Sequence, residues 1–393
     1  MNLKNQEIRS GSADGIVVGV DASRNRSGGA KAHLVGLIAR GDPREYGIRQ
    51  VHLWTYKSLL DAVPDQSWLI KHSPPSLEKS LFRQILWQIF QLPAEARAVG
   101  CGIMLNTDAG SMSNVSPSVT ISRDMLSYEP GEIERYGWSK ARLRLVLLRY
   151  IQNRSLRRSD GAVFLTNHAA KVIQQSCGTL SRVGLIPHGV GQNFQELTHK
   201  LPWPDNRERS IRLLYISNAA WYKHQWMVIR AVERLRNEGF NVILTLVGGG
   251  SGPAQQKLRR QMALSDPRGE FVTQKEFVPQ ADLPGYLAEA DIFVFASSCE
   301  NMPNTLLEAM AAGLPIACSR RGPMPEVLEG GGEYFDPEEP ESIATALRKL
   351  IEDSDLRKRL APLAKTLATR YSWERCARET WSFIAETYRH VHG

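Results

Sequence analysis

No apolar run in the 393-residue sequence is long enough to cross a membrane. A membrane-spanning helix needs about 20 consecutive apolar residues, and the longest candidate, residues 143–151, is interrupted by Arg144 and Arg149. The N-terminal residues MNLKNQE are polar and lack the apolar core of a secretory signal peptide. The sequence therefore predicts a cytoplasmic protein.

Cysteine is scarce: the five cysteines are odd in number, scattered and never spaced as a CxxC pair. This usage argues against a disulfide framework and against cysteine-bound metal, and it favours reduced thiols. Internal repeats and low-complexity tracts are also absent, which argues against a solenoid. With 42% hydrophobic and 23% charged residues, a chain of this length is expected to fold into two or three domains.

Acidic residues are outnumbered, because 49 Lys and Arg face 41 Asp and Glu and leave a net charge of +8. The excess is local: residues 135–158 contain eight Arg or Lys and no acid, interleaved with apolar residues. This basic segment predicts either a buried helix with a solvated basic face or a surface that binds anionic inner-leaflet lipids or a lipid-pyrophosphate acceptor. It lacks the regularly placed aromatics of nucleic-acid-binding modules, so no nucleic-acid partner is expected.

Short apolar strands alternate with helical segments along most of the chain. Residues 15–20 and 161–166 are typical of buried strands, and after a polar stretch at 192–210 the alternation restarts with strands at 211–216 and 242–247. Apolar strands of this length that alternate with helices indicate a parallel sheet covered on both faces. The sequence therefore predicts an α/β protein of two Rossmann-like, doubly wound domains that face a cleft, with ligands at the carboxyl ends of the strands.

The polar stretch sets the predicted domain boundary. An N-terminal domain is expected over residues 1–200 and a C-terminal domain over residues 201–371. Residues 372–393 predict a helix rich in Trp and Tyr, which is expected to cross back onto the first domain.

The clearest chemical signal follows a predicted strand at 292–296. The strand leads into a loop that carries Glu300, and a predicted helix at 305–312 carries Glu308 one turn after its start. Asn304 is expected to cap this helix. The helix N-terminus offers free N–H groups and partial positive charge, which suit a phosphate. The two carboxylates on either side are suited to accept hydrogen bonds from sugar hydroxyls, while a solvated helix face is the alternative for Glu308.

This segment, Glu300-x7-Glu308 followed by the residues AMAAGLP, resembles the signature of the retaining glycosyltransferases of family four, which have the GT-B fold. The resemblance extends over most of the chain as an ordered set of elements. These are Gly28-Gly29, SDGAVFLT at 159–166, IPHGV at 186–190, YISN at 215–218 with Lys223 after it, GPMPEV at 322–327 and YSW at 371–373.

The resemblance implies a role for each matching residue. Glu300 would contact hydroxyls of the transferred sugar, Glu308 would hold the ribose hydroxyls of the nucleotide, and Lys223 would neutralise the diphosphate. Neutralising the departing diphosphate is electrostatic catalysis. The resemblance also places donor-binding residues in the glycine loop, at the end of the second domain's first strand and in the first turn of the predicted helix: Gly28, Gly29, Asn218, Asn304, Thr305 and Leu306.

Two positions depart from the family pattern. Many members carry an arginine a few residues before the lysine, whereas residues 218–222 here are NAAWY. Many also have a His-Asp pair after a first-domain strand, where this chain has Arg123-Asp124. Arg123 is therefore predicted as a catalytic residue beside Glu300 and Lys223, on either the donor or the acceptor side.

Two other motifs carry weaker signals. Asp353-Ser354-Asp355 has the form of a metal-binding Asp-x-Asp, but it lies in a charged segment away from the predicted cleft. A solvated turn is expected there, and no metal site is predicted. The glycines at 248–250 follow a strand, yet Pro253 stands at the third position of a dinucleotide fingerprint, so a tight turn is expected.

The resemblance implies a retaining, metal-independent, hexosyltransferase-like enzyme that needs no cofactor beyond its nucleotide-diphosphate sugar. The implied acceptor is a hydroxyl of a glycan, with a lipid-linked glycan favoured, in polysaccharide or lipopolysaccharide biosynthesis. The protein is then expected in the cytoplasm, with residues 135–158 as a peripheral contact to the inner face of the cell membrane. The alternatives are a sugar-nucleotide epimerase of the same architecture and a nucleic-acid-binding protein that uses the basic segment.

Overall fold

The computed structural model of the protein describes residues 15–26, 28–197, 202–204 and 209–393. Two parallel sheets, of seven and six strands, form its framework. The strands of the first sheet are β1 (Ile16–Asp21), β2 (Ile48–Trp54), β3 (Leu69–His72), β4 (Ile103–Asn106), β5 (Ser118–Ile121), β6 (Gly161–Phe164) and β7 (Val183–Leu185). The strands of the second sheet are β8 (Ile211–Ile216), β9 (Val242–Val247), β10 (Val272–Lys275), β11 (Ile292–Phe295), β12 (Ile316–Ser319) and β13 (Glu333–Phe335).

Helices cover both faces of the sheets. The α-helices within the described residues are α1 (Gly28–Ala39), α2 (Lys57–Leu60), α3 (Leu81–Leu86), α4 (Leu92–Ala98), α5 (Lys140–Arg158), α6 (Asn167–Cys177), α7 (Gln192–Gln195), α8 (Gln225–Asn237), α9 (Pro253–Ser265), α10 (Leu283–Glu289), α11 (Asn304–Ala312), α12 (Met324–Leu328), α13 (Pro340–Glu352), α14 (Ser354–Ala368) and α15 (Trp373–His392). A π-helical turn, Trp87–Gln91, joins α3 to α4.

The strand order reverses direction once in each sheet. The first sheet runs β3-β2-β1-β4-β5-β6-β7 and the second runs β10-β9-β8-β11-β12-β13. Each sheet therefore starts in its middle, at β1 or β8, and ligand sites in such sheets form where the order reverses, outside the carboxyl ends of the strands. The predicted architecture of two doubly wound parallel sheets is confirmed.

Buried central strands explain the sheet pattern seen in the sequence. Every residue of β4, β6, β11 and β12 is buried, because helices pack on both faces. Strand β13 ends in Phe335, which is fully buried, although the first two residues of this edge strand are partly accessible.

Helix α15 follows the second domain in the chain but packs on the first. It contacts α1 and β4. The approach to α1 is close at Gly36, where a Cβ atom would lie 2.4 Å from the Trp373 ring, so only glycine fits there without a shift of the ring. The predicted return of the last helix to the first domain is confirmed.

The segment between the domains differs from the prediction. Residues 198–201 and 205–208 of the predicted linker lie outside the described residues. The start of that stretch is not a linker, because Gln192–Gln195 forms α7 and buries Phe194. Strand β7 ends at Leu185, two residues before Pro187, which has no N–H to donate to a ladder.

Helix α5 coincides with most of the basic segment. Only Leu145, Gln152 and Leu156 of this 19-residue helix are buried. Across the described residues, no helix combines the length and the apolar character that spanning a bilayer requires.

Candidate active site

A cleft of about 560 Å³ lies between the two domains. The first domain contributes Gly28 and Gly29 at the start of α1, and the loop 189–191. The second domain contributes one face of α11, namely Asn304, Thr305 and Glu308. Five of the residues predicted to bind the donor therefore line one cavity: Gly28, Gly29, Asn304, Thr305 and Glu308.

Glu308 faces this cleft from the second turn of α11. Its Oε2 atom is buried and has no hydrogen-bond partner among the described residues. Burial raises the pKa of the Glu308 carboxyl to about 8. A partnerless buried carboxylate oxygen is costly, so this group is suited to accept hydrogen bonds from a ligand's hydroxyls. The alternative of a solvated helix face is wrong, because the carboxyl is enclosed.

Asn304 is the first residue of α11 and not its cap. Pro303 occupies the cap position without a side-chain hydrogen bond. The Asn304 side chain instead reaches the first domain, where its Oδ1 lies 3.2 Å from Nδ1 of His188. Its Nδ2 lies over Gly29, where an added Cβ atom would be only 2.8 Å away. The capping prediction was therefore wrong, and Asn304 connects the two walls of the cleft.

Lys223 and Glu300 form an ion pair through Nζ and Oε1. Their side chains are only 10% and 14% exposed, and Tyr215 donates its hydroxyl to the Lys223 carbonyl at 2.7 Å. Neither residue lines the cleft described above. The lysine charge predicted to meet a diphosphate is thus already balanced by the carboxylate predicted to meet the sugar.

Arg123 lies behind the cleft wall in the first domain. It donates a hydrogen bond from a guanidinium nitrogen to the Ala30 carbonyl at 3.3 Å, in the first turn of α1. Burial lowers the pKa of Arg123 to about 10. The guanidinium therefore adds positive charge behind the start of α1, on the first-domain side, without lining the cavity itself.

The remaining predicted residues have contrasting surroundings. Asn218 is exposed just after β8, and Leu306 is fully buried, so only its backbone could bind a ligand. Thr305 donates its hydroxyl to the Ile216 carbonyl at 3.2 Å, which ties the first turn of α11 to the end of β8.

Comparison with known proteins decides the family of the second domain. Residues 200–366 match the family described as glycosyl transferases group 1. These residues belong to the group 1 glycosyl transferases. The group 1 segment contains all seven predicted site residues of the second domain: Asn218, Lys223, Glu300, Asn304, Thr305, Leu306 and Glu308.

Individual relatives resemble parts of the chain. The chain is 31% identical over 160 residues to D-inositol 3-phosphate glycosyltransferase from Corynebacterium jeikeium. The aligned segment covers 38% of this chain and 38% of that protein. The chain is 30% identical over 237 residues to GDP-mannose-dependent alpha-(1-6)-phosphatidylinositol monomannoside mannosyltransferase from Mycolicibacterium smegmatis, and here the aligned segment covers 55% and 58%. The matched segments thus span 38% and 58% of these curated relatives' lengths.

A solved structure resembles the whole chain. Anabaena HepE in complex with UDP superposes with a TM-score of 0.68, at 18% identity, over 95% of this chain and all of that one (100%). The likeness shows a shared fold, and the predicted GT-B fold is confirmed.

His188 is a site residue that the sequence signalled only as part of the IPHGV motif. Burial lowers the pKa of its imidazole to about 3. Besides its contact with Asn304, its Nε2 atom is buried without a hydrogen-bond partner among the described residues. A neutral imidazole is therefore held at the seam between the first domain and the group 1 domain.

Polar contacts elsewhere join the group 1 domain to the first domain. Ser298, two residues before Glu300, donates its hydroxyl to Glu132 of the first domain at 2.5 Å. The same hydroxyl lies 2.9 Å from Nε2 of His224. Glu132 also pairs with Arg135 at 2.9 Å. The loop that carries Glu300 is thus held from both domains, an arrangement that no local sequence pattern indicated.

A second seam contact uses the N-terminus of α6. Glu326 of the group 1 domain accepts hydrogen bonds from the backbone N–H groups of Asn167 at 2.7 Å and His168 at 2.9 Å. A carboxylate at a helix N-terminus meets both free donors and a favourable dipole, so this contact favours the domain arrangement seen here.

Asp353 has a structural role. Its side chain accepts hydrogen bonds from the N–H groups of Asp355 and Leu356 and so caps α14, which agrees with the predicted turn. Within the part of the chain that the structure describes, no three His, Cys, Asp or Glu residues are grouped as metal ligands would be.

Proposed function

We propose that the protein transfers a hexosyl group from a nucleotide-diphosphate sugar to a hydroxyl of a glycan, with retention of anomeric configuration. The observation that carries the proposal is the cleft between the domains, where the partnerless oxygen of Glu308 and the first turn of α11 face the glycine loop of the first domain. Membership of residues 200–366 in the group 1 glycosyl transferases supports it.

The donor fits this cleft in one orientation. The ribose hydroxyls donate hydrogen bonds to Glu308, and the N–H groups in the first turn of α11 receive the diphosphate. Lys223 adds positive charge from the neighbouring loop. When the donor binds, Lys223 pairs with the phosphates as well as with Glu300. The Glu300 carboxylate is then available to accept hydrogen bonds from sugar hydroxyls.

The first experiment is a thermal-shift screen of the whole protein against nucleoside diphosphates. UDP and GDP come first, because UDP is named for the HepE structure and GDP-mannose for the mycobacterial relative. A ligand at a hundredfold its Kd stabilises the folded state by about 2.7 kcal/mol. The proposal expects one nucleotide to raise the melting temperature clearly, whereas no response to any nucleoside diphosphate or its sugars would refute it.

Product analysis then separates transfer from epimerisation. With donor alone, an epimerase converts the sugar, whereas a transferase needs the acceptor. We further propose that transfer is metal-independent, so activity persists in EDTA. Loss of activity in EDTA with recovery on adding magnesium would contradict the roles given to Lys223 and α11.

We also propose that the acceptor is lipid-linked and that the basic segment 135–158 contacts the inner face of the cell membrane. The protein then works in the cytoplasm as a peripheral enzyme of polysaccharide synthesis. Helix α5 carries seven basic residues and no acid. Beside them, Trp138 is 98% and Leu143 is 70% exposed. Cationic and apolar side chains on one exposed helix are typical of interfacial binding.

A further inference from the structure

A helix is missing from one crossover of the first sheet. The connection from β4 to β5, residues 107–117, is described throughout and contains no helix. The preceding crossover carries α3 and α4, and the following one carries α5. Because successive crossovers in the same direction are right-handed and lie on the same sheet face, the missing helix leaves a groove between its neighbours.

Contacts confirm that the loop lies between these helices. On one side, the Met112 N–H donates to Oε1 of Gln88, in the π-helical turn, at 3.4 Å. On the other side, the loop and α5 together enclose a cavity of about 40 Å³. At roughly 10–15 Å³ for each water-sized group, the cavity holds about three such groups, which is enough for the free oxygens of a phosphoryl group.

The lining of this cavity is cationic and rich in hydroxyls. Two arginines one helical turn apart, Arg154 and Arg158, form its α5 wall. Neither makes an ion pair with any described residue. The other polar side chains are Asn106, Ser111, Ser113, Asn114, Ser116, Ser118, Ser155 and Ser159. The nearby acid, Asp160, accepts from the Ser118 N–H at 2.8 Å and is not part of the lining.

Apolar side chains are exposed on α5, the helix that forms one wall of the groove. These are Leu143, Leu147 and Tyr150, and Ile151 of the same helix lines the cavity itself. Exposed apolar side chains beside a cationic, hydroxyl-lined cavity match a ligand that has a phosphoryl head and an apolar chain.

We propose that this groove binds the phosphoryl group of a lipid carrier, with Arg154 and Arg158 on the phosphate oxygens and the apolar chain along the exposed apolar side chains of α5. The inference deepens the acceptor side of the proposed function and rests on it. Helix α5 starts near the second domain, where Arg135 pairs with Glu338 at 2.6 Å. Arg154 lies 14 residues beyond Lys140, or about 21 Å along the helix axis, so the proposed phosphate site is well separated from this contact with the second domain.

The test compares two kinds of vesicle in the absence of donor and glycan. One holds a polyprenyl phosphate in phosphatidylcholine, and the other holds phosphatidylglycerol at the same surface charge. We expect the wild-type protein to bind the polyprenyl phosphate vesicles about tenfold more tightly, as for a net gain of about one charge-assisted hydrogen bond. The R154Q/R158Q variant should lose that preference, whereas the matched charge removal R230Q/R260Q in the second domain should keep it.

A second variant distinguishes loss of phosphate binding from misfolding. Ser155→Leu fills the cavity and leaves every charge in place, and it should also abolish the preference while the melting temperature stays close to that of the wild type. Equal binding of both vesicles by the wild-type protein, or a preference that survives in R154Q/R158Q, would overturn the proposal.

A test with inorganic phosphate shows whether the groove binds the phosphate of a lipid or a soluble phosphate. If phosphate alone raises the melting temperature of the wild type but not of R154Q/R158Q, while the vesicles are bound equally, the groove takes soluble phosphate and the lipid assignment is wrong. Because sugar transfer is not measured in any of these assays, a failure of the proposed function leaves their outcome readable.

Discussion

The charges in the second domain and on α5 are arranged in opposite ways. In the second domain, Lys223 and Glu300 are paired and nearly buried, and Glu308 is enclosed. On α5, Arg154 and Arg158 are exposed and form no ion pair with described residues. Charges fixed before the ligand arrives need little reorganisation during reaction, whereas exposed cations suit an anionic partner that is not held in one geometry. The comparison teaches that charges are fixed by partners inside the fold in one region and left open to solvent in the other.

The largest effect is expected from breaking the ion pair in the second domain. Removing one partner of a buried pair leaves an uncompensated charge, which costs about 3–5 kcal/mol. Glu300→Ala should therefore lower the free energy of unfolding by about that amount in urea denaturation, and the double variant K223M/E300M should lose less. The matched control is Lys349→Ala, because the ion pair between Lys349 and Glu333 is more exposed. This variant should lose less than about 1 kcal/mol of unfolding free energy. Similar losses in both single variants would show that the nearly buried pair is no stronger than an exposed one.

The next effect concerns the enclosed carboxylate. Above the raised pKa of about 8, where the Glu308 carboxyl is charged, Glu308→Ala should weaken binding of the preferred nucleoside diphosphate by about 1.5–3 kcal/mol, as for hydrogen bonds to a charged group. Isothermal titration calorimetry measures the loss, with the exposed Glu352→Ala as the control. Unchanged affinity in a folded variant would remove Glu308 from the donor site.

Titration of Glu308 should be visible as a pH effect. Because its pKa is raised from 4.5 to about 8 in the folded protein, the folded state keeps a proton that the unfolded chain loses. The carboxyl's contribution to stability is therefore full below pH 4.5 and is lost as the pH rises to about 8. Melting temperatures between pH 5 and pH 9 should fall more in the wild type than in Glu308→Gln. Parallel profiles would contradict the raised pKa.

The smallest effect is expected at the seam between the domains. Arg135 and Glu338 are 25% and 40% exposed, so Glu338→Gln, which leaves the pair of Arg135 with Glu132 intact, should cost about 0–1 kcal/mol of unfolding free energy. The loss should shrink at high salt, because exposed charges are screened over about 8–10 Å. A loss that equals that of Glu300→Ala would show that the charge pair at the seam is as strong as the pair between Lys223 and Glu300.

Local pattern was enough to predict much of the fold. The bounds of β8 and β9 agree with those predicted, because each is a short apolar run set by its own residues. Glu308 was placed correctly for the same reason, since helical geometry fixes its position relative to the start of α11.

Contacts between distant residues could not be predicted in this way. His188 meets Asn304 across 116 residues of sequence, and Glu132 meets Ser298 across 166. No periodicity links such pairs. The capping prediction for Asn304 failed because the contact with His188 outweighs the local preference that it was based on.

The return of α15 to the first domain fixes the order in which the protein can be completed during synthesis. The surface around Gly36 is covered by Trp373, a residue translated only after the entire second domain. A nascent first domain therefore waits with this apolar surface uncovered while nearly two hundred further residues are made. Its final packing must follow, and depend on, the emergence of the group 1 domain from the ribosome.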